Sequence, residues 1–234
     1  MTTPIRAWLL DIEGTTTSIS FVYDVLFPDA RAALEATFAS DGGSFLEEHW
    51  AELAPTVARM AGGAGRHSPI AAAAAALALM HADVKDTGLK ALQGLLWRAG
   101  YDAGRLRGHV FDDVPPAFER ARAAGLRLAI YSSGSVEAQR LLFAHSVHGD
   151  LGRHLEAYFD TTTGPKKEAA SYRTIAGALA LPPEAIAFFT DNLDEARAAR
   201  TAGMSAFVAV RPGNAALPPD HGFPMVTSLT GAPV

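Results

Sequence analysis

Asp11 and Glu13 are the first residues of the chain whose types and spacing could do chemistry. They follow the apolar run Ala7-Trp8-Leu9-Leu10 and precede Gly14-Thr15. An apolar run ended by acids and then glycine reads as a buried strand opening into a loop. Residues two apart on a strand share a face, so the two carboxylates would repel unless something cationic joined them. A hard cation such as Mg²⁺ takes one or two carboxylates together with waters and substrate phosphate oxygens. The stretch therefore offers a carboxylate nucleophile, a nearby acid or base, and metal ligands. Solvated acids at a strand end would look the same from these five residues alone.

Three later stretches add to it. Ser132-Ser133-Gly134-Ser135 supplies hydroxyls and a glycine where a helix begins. Hydroxyls and free N–H groups at such a place bind an anion such as phosphate. One serine would suffice as an N-cap, and the chain provides more. Gly164-Pro165-Lys166-Lys167-Glu168 precedes another helix, and a lysine there can neutralise a phosphate and a nucleophilic carboxylate together. One of the two lysines reads as a solvated surface residue. Asp191 follows the apolar run Ile186–Thr190 and is positioned to share a metal with Asp11. Asp194 and Glu195 read as favourable charge in a helix's first turn, with Asp194 a weaker alternative ligand. The eight histidines are scattered. His145 and His148, three apart near a helix end, read as capping or surface residues, and no Ser/His/Asp set is discernible.

The elements that must position these groups alternate. Residues 5–10 read as a strand, 114–124 as a helix, 126–131 as a strand and 136–144 as a helix. Residues 158–159 form a short strand, 168–180 a helix, 186–190 a strand, 193–202 a helix and 206–210 a fifth strand. Continuous apolar strands between helices imply a parallel sheet covered on both faces. In such sheets ligands bind beyond the carboxyl ends of the strands, where Asp11, Ser132 and Asp191 fall. Between Phe21 and about Gly108 the rhythm changes. Leu26, Ala30, Ala33, Leu34 and Phe38 recur at helical spacing, Ser44 with Glu47 resembles a capping box, and residues 71–80 and 89–98 are rich in helix formers. This segment reads as an all-helical insertion, its glycine and alanine runs being low-complexity sequence and not sites.

The chain has 234 residues, 49% of them hydrophobic, enough for a large core with an insertion. Its net charge of −5 argues against a general nucleic-acid surface. It contains no cysteine, which excludes disulfides and thiolate metal sites. Asp11 interrupts any apolar leader early, and no run reaches the length of a membrane span. The expectation is a cytoplasmic monomer that binds neither nucleic acid nor membrane.

Taken in order, Asp11-x-Glu13-Gly14-Thr15, Ser132, Lys166 and Asp191 resemble the four motifs of the haloacid dehalogenase superfamily. That superfamily usually carries aspartate where this chain has Glu13, and the departure resembles its enolase-phosphatase branch in methionine salvage. Longer stretches agree: residues 11–18, 21–28, 89–94 with Trp97, 131–139 and 210–214. The pattern Gly164-Pro165-Lys166-x-Glu168-x-x-Ser171-Tyr172 selects Lys166 over Lys167. The resemblance implies a Rossmann-like α/β core, doubly wound around a parallel sheet, formed by residues 1–18 and 109–234. An all-helical cap, residues 19–108, is inserted after the first motif. It implies Mg²⁺ held by Asp11, Glu13 and Asp191, with the Glu13 backbone carbonyl as a possible donor in place of its carboxylate. Asp11, Glu13 and Lys166 would be catalytic, and Ser132, Ser133 and Lys166 would bind substrate. That substrate would be 2,3-diketo-5-methylthiopentyl 1-phosphate, a phosphorylated diketone. It would be enolised and then dephosphorylated to an acireductone and phosphate. The competing expectation is a related phosphatase acting on a small sugar or acid phosphate.

Overall fold

The computed structural model describes residues 3–39, 50–58, 60, 68–82, 84 and 86–234. The capping-box stretch at 44–48 and the glycine runs at 42–43 and 62–65 lie outside the described residues. The backbone divides into two units, one joining Met1–Val22 to Arg107–Val234 and the other formed by Tyr23–Leu106.

The first unit is a six-stranded sheet in the order β3-β2-β1-β4-β5-β6, with all neighbours parallel. The strands are β1 Ala7–Leu10, β2 Arg127–Tyr131, β3 Ala157–Phe159, β4 Ile186–Thr190, β5 Ser205–Ala209 and β6 Met225–Val226. The helices between them are α1 Val114–Ala123, α2 Val136–Ala144, α3 Ala169–Ala178 and α4 Leu193–Thr201. This is the doubly wound order of Rossmann-type sheets. β6 has only two residues, too few for any periodicity to announce it. α3 stops short of the expected residue 180 because Ala180 takes a left-handed backbone, φ 49°, which no helix continues through.

Both faces of the sheet are covered, so the middles of the strands are apolar. On one face Leu9, Tyr131 and Phe188 share a buried cluster with Tyr172 and Ile175 of α3 and Ala196 and Ala199 of α4. On the other, Trp8 meets Phe189 edge-on at 5.3 Å between ring centroids. The Arg120 guanidinium from α1 lies 5.7 Å from the Trp8 ring, and Phe118 of α1 packs against Phe143 of α2. Leu10 pairs with Ile130 on one side and Phe189 on the other. Asp11, one residue on, leaves the sheet where the strand order reverses, which is the usual ligand crevice of such folds.

The second unit is helical throughout its described secondary structure, with helices Phe27–Ala39, Trp50–Val57, Pro69–His81 and Thr87–Asp102. Ser68 and Asp86 cap the last two, each accepting from backbone N–H groups of the first turn. Leu34, Val57, Met60, Leu92, Leu95 and Leu96 form its core, together with Ala72, Ala73, Ala75 and Ala76. The alanine run is thus packing material and not incidental sequence. The first unit extends to Val22, beyond Ser18, because Ser18 caps the helical turn Ile19–Phe21 and the Phe21 ring packs on His109.

Candidate active site

The loop after β1 brings Asp11 out of the sheet and turns back at once. Thr15, Thr16 and Thr17 all donate their backbone N–H to the Ile12 carbonyl, and Gly14 N–H donates to Thr17 O. Gly14 has φ +67°, a left-handed conformation for which glycine is the default residue. A Cβ there would also lie 2.7 Å from Asp191 Cγ and 2.9 Å from Asn214 Oδ1. Asp191 follows β4 directly, so the two strand ends and this glycine bring Asp11 and Asp191 to one edge.

Lys166 joins them. Its Nζ donates to Asp11 Oδ1 at 2.6 Å and lies 2.8 Å from Glu195 Oε2. All three side chains are buried: Asp11 is 5% exposed, Lys166 8% and Glu195 8%. Burial alone would lower the lysine's pKa, but the two carboxylates outweigh it and hold the ammonium charged. The Thr190 hydroxyl is 2.8 Å from Glu195 Oε2 and 3.3 Å from Asp11 Oδ2. A hydroxyl has one proton to give, and the shorter contact to Glu195 has the better geometry.

The lysine loop is fixed by three hydroxyls acting on three consecutive carbonyls. Tyr131 donates to Gly164 O at 2.9 Å, Ser171 to Pro165 O at 2.7 Å and Tyr172 to Lys166 O at 2.7 Å. Gly164 is required beside them, since its φ is +146° and a Cβ would lie 3.1 Å from Ser171 Cβ. The spacing from Gly164 to Tyr172 is therefore a device that aims Lys166. Lys167 points elsewhere and pairs with the exposed Asp194 at 3.0 Å.

Ser132 follows β2, buried, with its N–H on Phe159 O and its Oγ accepting from Gly134 N–H. The cap of α2 is Ser135, whose Oγ accepts from Ala138 N–H. Ser132 and the exposed Ser133 are therefore not the capping serines. Gln139 of α2 holds this turn by donating to Gly134 O and Phe159 O.

Two carboxylates, Asp11 and Glu195, thus share one lysine, and Asp191 adds a third negative group at the same edge. Burial first, and the Asp11 charge second, push the Asp191 carboxyl up to about 6. The same two causes raise Glu195 in spite of Lys166. A site short of positive charge suits a hard divalent cation held by Asp11 and Asp191. Among the described residues no three acidic, His or Cys side chains gather in metal-ligand geometry. The remaining positions would fall to backbone oxygen, water and substrate phosphate, as is usual for Mg²⁺. Glu13 is half-buried on the β1 loop and pairs with Thr17 in a parallel bridge.

Sequence reasoning did not assign Thr190, or Glu195 as the partner of Lys166. It treated Glu195 as a helix-end charge, and only its place one turn into α4, beside the end of β4, could have signalled more. It also gave no role to Arg211, which donates to Thr15 O at 2.9 Å and grips Asp113 with two hydrogen bonds. His145 is the C-cap of α2 and His148 is exposed, the capping and surface roles expected of them, with His148 also contacting Val110 O and Asp112.

The family model for haloacid dehalogenase-like hydrolases matches residues 5–203. The enolase-phosphatase E1 of Drosophila simulans is 47% identical over 228 residues, covering 91% of this chain and 86% of that protein. The enolase-phosphatase E1 of Synechococcus elongatus is also 47% identical, covering 90% and 91%. The crystal structure of the UTR4 protein from Saccharomyces cerevisiae superimposes with a TM-score of 0.81 at 31% identity, covering 96% of this chain and 98% of that one. The family model spans most of the chain and these relatives match nine-tenths of it, and on that ground the chain belongs to the enolase-phosphatase E1 family of haloacid dehalogenase-like hydrolases.

Proposed function

We propose that the chain is a bifunctional enolase-phosphatase of methionine salvage. It converts 2,3-diketo-5-methylthiopentyl 1-phosphate to the acireductone 1,2-dihydroxy-3-keto-5-methylthiopentene and phosphate. The observation that carries this reading is the buried Lys166 held between Asp11 and Glu195, beside a second strand-end carboxylate, in a chain of this family.

Asp11 is the nucleophile. Its carboxylate attacks phosphorus, forming an aspartyl-phosphate that water then hydrolyses. Lys166 donates to the Asp11 carboxylate and balances charge on the phosphoryl oxygens as the leaving oxygen departs. The Ser132 hydroxyl and the N–H groups of its turn bind the same oxygens, and Ser133 contacts substrate. Glu13 transfers the proton, to the leaving oxygen in one half-reaction and from carbon in the other. The cation is Mg²⁺, held by Asp11 and Asp191 with the Glu13 backbone carbonyl as third protein donor. When bound it polarises the substrate carbonyl and offsets phosphate charge. The helical unit Tyr23–Leu106 is the cap inserted after the first motif. The enzyme works as a cytoplasmic monomer.

The test is purified protein with the diketone phosphate, following acireductone absorbance and phosphate together. Both products in equal amounts support the reading. Phosphate without acireductone would leave an ordinary phosphatase.

A further inference from the structure

Asn214 closes the stretch 210–214 but has no part in the proposed mechanism. It sits on the loop after β5, and its side-chain amide reaches back to the nucleophile loop. Nδ2 donates to Gly14 O at 2.9 Å and to Ala209 O at 3.1 Å. Both partners are carbonyls, so only the nitrogen can face them, and the orientation of the amide follows. Both amide hydrogens are then used. The other end, Oδ1, is buried with no hydrogen-bond partner. Leaving a buried acceptor unmet is costly, and such an atom asks for a donor.

The surroundings say which donor. Asn214 Oδ1 and the Asp191 carboxylate converge on the same small space beside the Gly14 Cα, the space a Cβ would fill. Two acceptors face it. A second protein acceptor could not satisfy Oδ1 there, whereas a water with two hydrogens could. A cation held by Asp191 and Asp11 carries such waters, because Mg²⁺ usually keeps several of them. Groups that hydrogen-bond a metal's ligands orient them and strengthen binding.

We propose that Asn214 is a positioning residue of the cation site. Its nitrogen ties the Gly14 turn to the end of β5, and its Oδ1 accepts a hydrogen from a water carried by the cation that Asp191 holds. The inference rests on the proposed cation at Asp11 and Asp191. It gives Gly14 a second reason to be glycine, since any Cβ would press on both acceptors, the Asp191 carboxylate and Asn214 Oδ1. It also explains why Arg211 and Asn214 share one loop. Arg211 fixes Thr15 O and Asn214 fixes Gly14 O, so a single β5 loop sets two successive carbonyls of the β1 turn.

The experiment is calorimetric Mg²⁺ titration of the wild type, Asn214→Ala and Asn214→Ser, with each variant's urea midpoint measured in chelator. Loss of the water's acceptor should weaken Mg²⁺ binding about ten- to a hundredfold. A purely structural tether would lower the midpoint and leave the affinity of the folded protein unchanged, and that result overturns the proposal. No binding by wild type defeats the cation reading itself. Wild-type binding that both folded variants match defeats only the role of Asn214. A second measurement needs no folded variant. In ¹⁵N-labelled wild type, Mg²⁺ should shift the Asn214 side-chain amide resonance along with the Asp191 backbone amide. An unmoved Asn214 amide beside a moved Asp191 amide contradicts it.

Discussion

Lys166 Nζ stands 2.6 Å from Asp11 Oδ1 and 2.8 Å from Glu195 Oε2, a buried ammonium shared by two carboxylates. Removing it should cost the phosphatase rate at least about a hundredfold, the size of one lost oxyanion-type contact. It should also leave two buried acids unpaired. Lys166→Ala is therefore expected to lose about 3–5 kcal/mol of stability in chelator, as for a broken buried pair. Lys167→Ala removes only an exposed pair with Asp194 and should change neither number. Steady-state rates and urea unfolding of the two variants check this, and the reverse ranking would contradict the assignment of Lys166.

Tyr172→Phe tests how the lysine is aimed. The variant keeps the ring in the core and loses only the hydrogen bond to Lys166 O. One such bond is worth about 1 kcal/mol, so kcat should fall roughly three- to tenfold. KM should hardly move. A raised KM with unchanged kcat would mean that Tyr172 acts on substrate binding instead.

The cation should compete with protons at Asp191. Its carboxyl is pushed up to about 6, so it is protonated below that pH and must lose the proton to bind Mg²⁺. The Mg²⁺ concentration for half-activity should rise as pH falls through about 6. In chelator the sign reverses for stability. The folded state disfavours the charged carboxyl, so the contribution of Asp191 to stability declines as pH rises from the ordinary carboxylate range to about 6. Asp191→Asn should abolish the first trend in Mg²⁺ titration and remove the share of Asp191 from the second in urea unfolding, leaving that of Glu195.

Gly14→Ala meets two obstacles, a left-handed backbone and a Cβ within 2.7 Å of Asp191 Cγ. The backbone alone should cost about 1–3 kcal/mol. Mg²⁺ affinity should fall with it, because the added methyl lies against the Asp191 carboxylate. Full affinity in a folded Gly14→Ala would show that the turn can move aside.

How much of this could be read from the residues varies with the physics involved. β1, β2, β4 and β5 announce themselves because helices cover both faces and the central positions are apolar. The order of Asp11, Ser132, Lys166 and Asp191 at strand and helix ends was legible for the same reason. Glu195 was not, because an acid in a helix's first turn has a sufficient local explanation, and only the tertiary approach of Lys166 gives it another. Arg211 and Asn214 act through the carbonyls of Thr15 and Gly14, nearly two hundred residues away in sequence. No spacing rule reaches that far. The Gly164–Tyr172 pattern was visible as a pattern, but its cause, three hydroxyls on three carbonyls, appears only when β2 and α3 are side by side.

Glu13→Gln keeps the size of the side chain and removes the base. Both phosphate release and deuterium uptake into the diketone from D₂O should be lost. Exchange that persists in this variant would reject Glu13 as the group that takes the proton from carbon.

The measurement that bears most directly on a single site with two half-reactions uses Asp11→Asn. The variant has no nucleophile but keeps an oxygen at the same place. With saturating Mg²⁺ in D₂O it should release no phosphate and still exchange the carbon-bound proton of the diketone, read by NMR against an enzyme-free control. Phosphate release at the wild-type rate from Asp11→Asn would contradict the account.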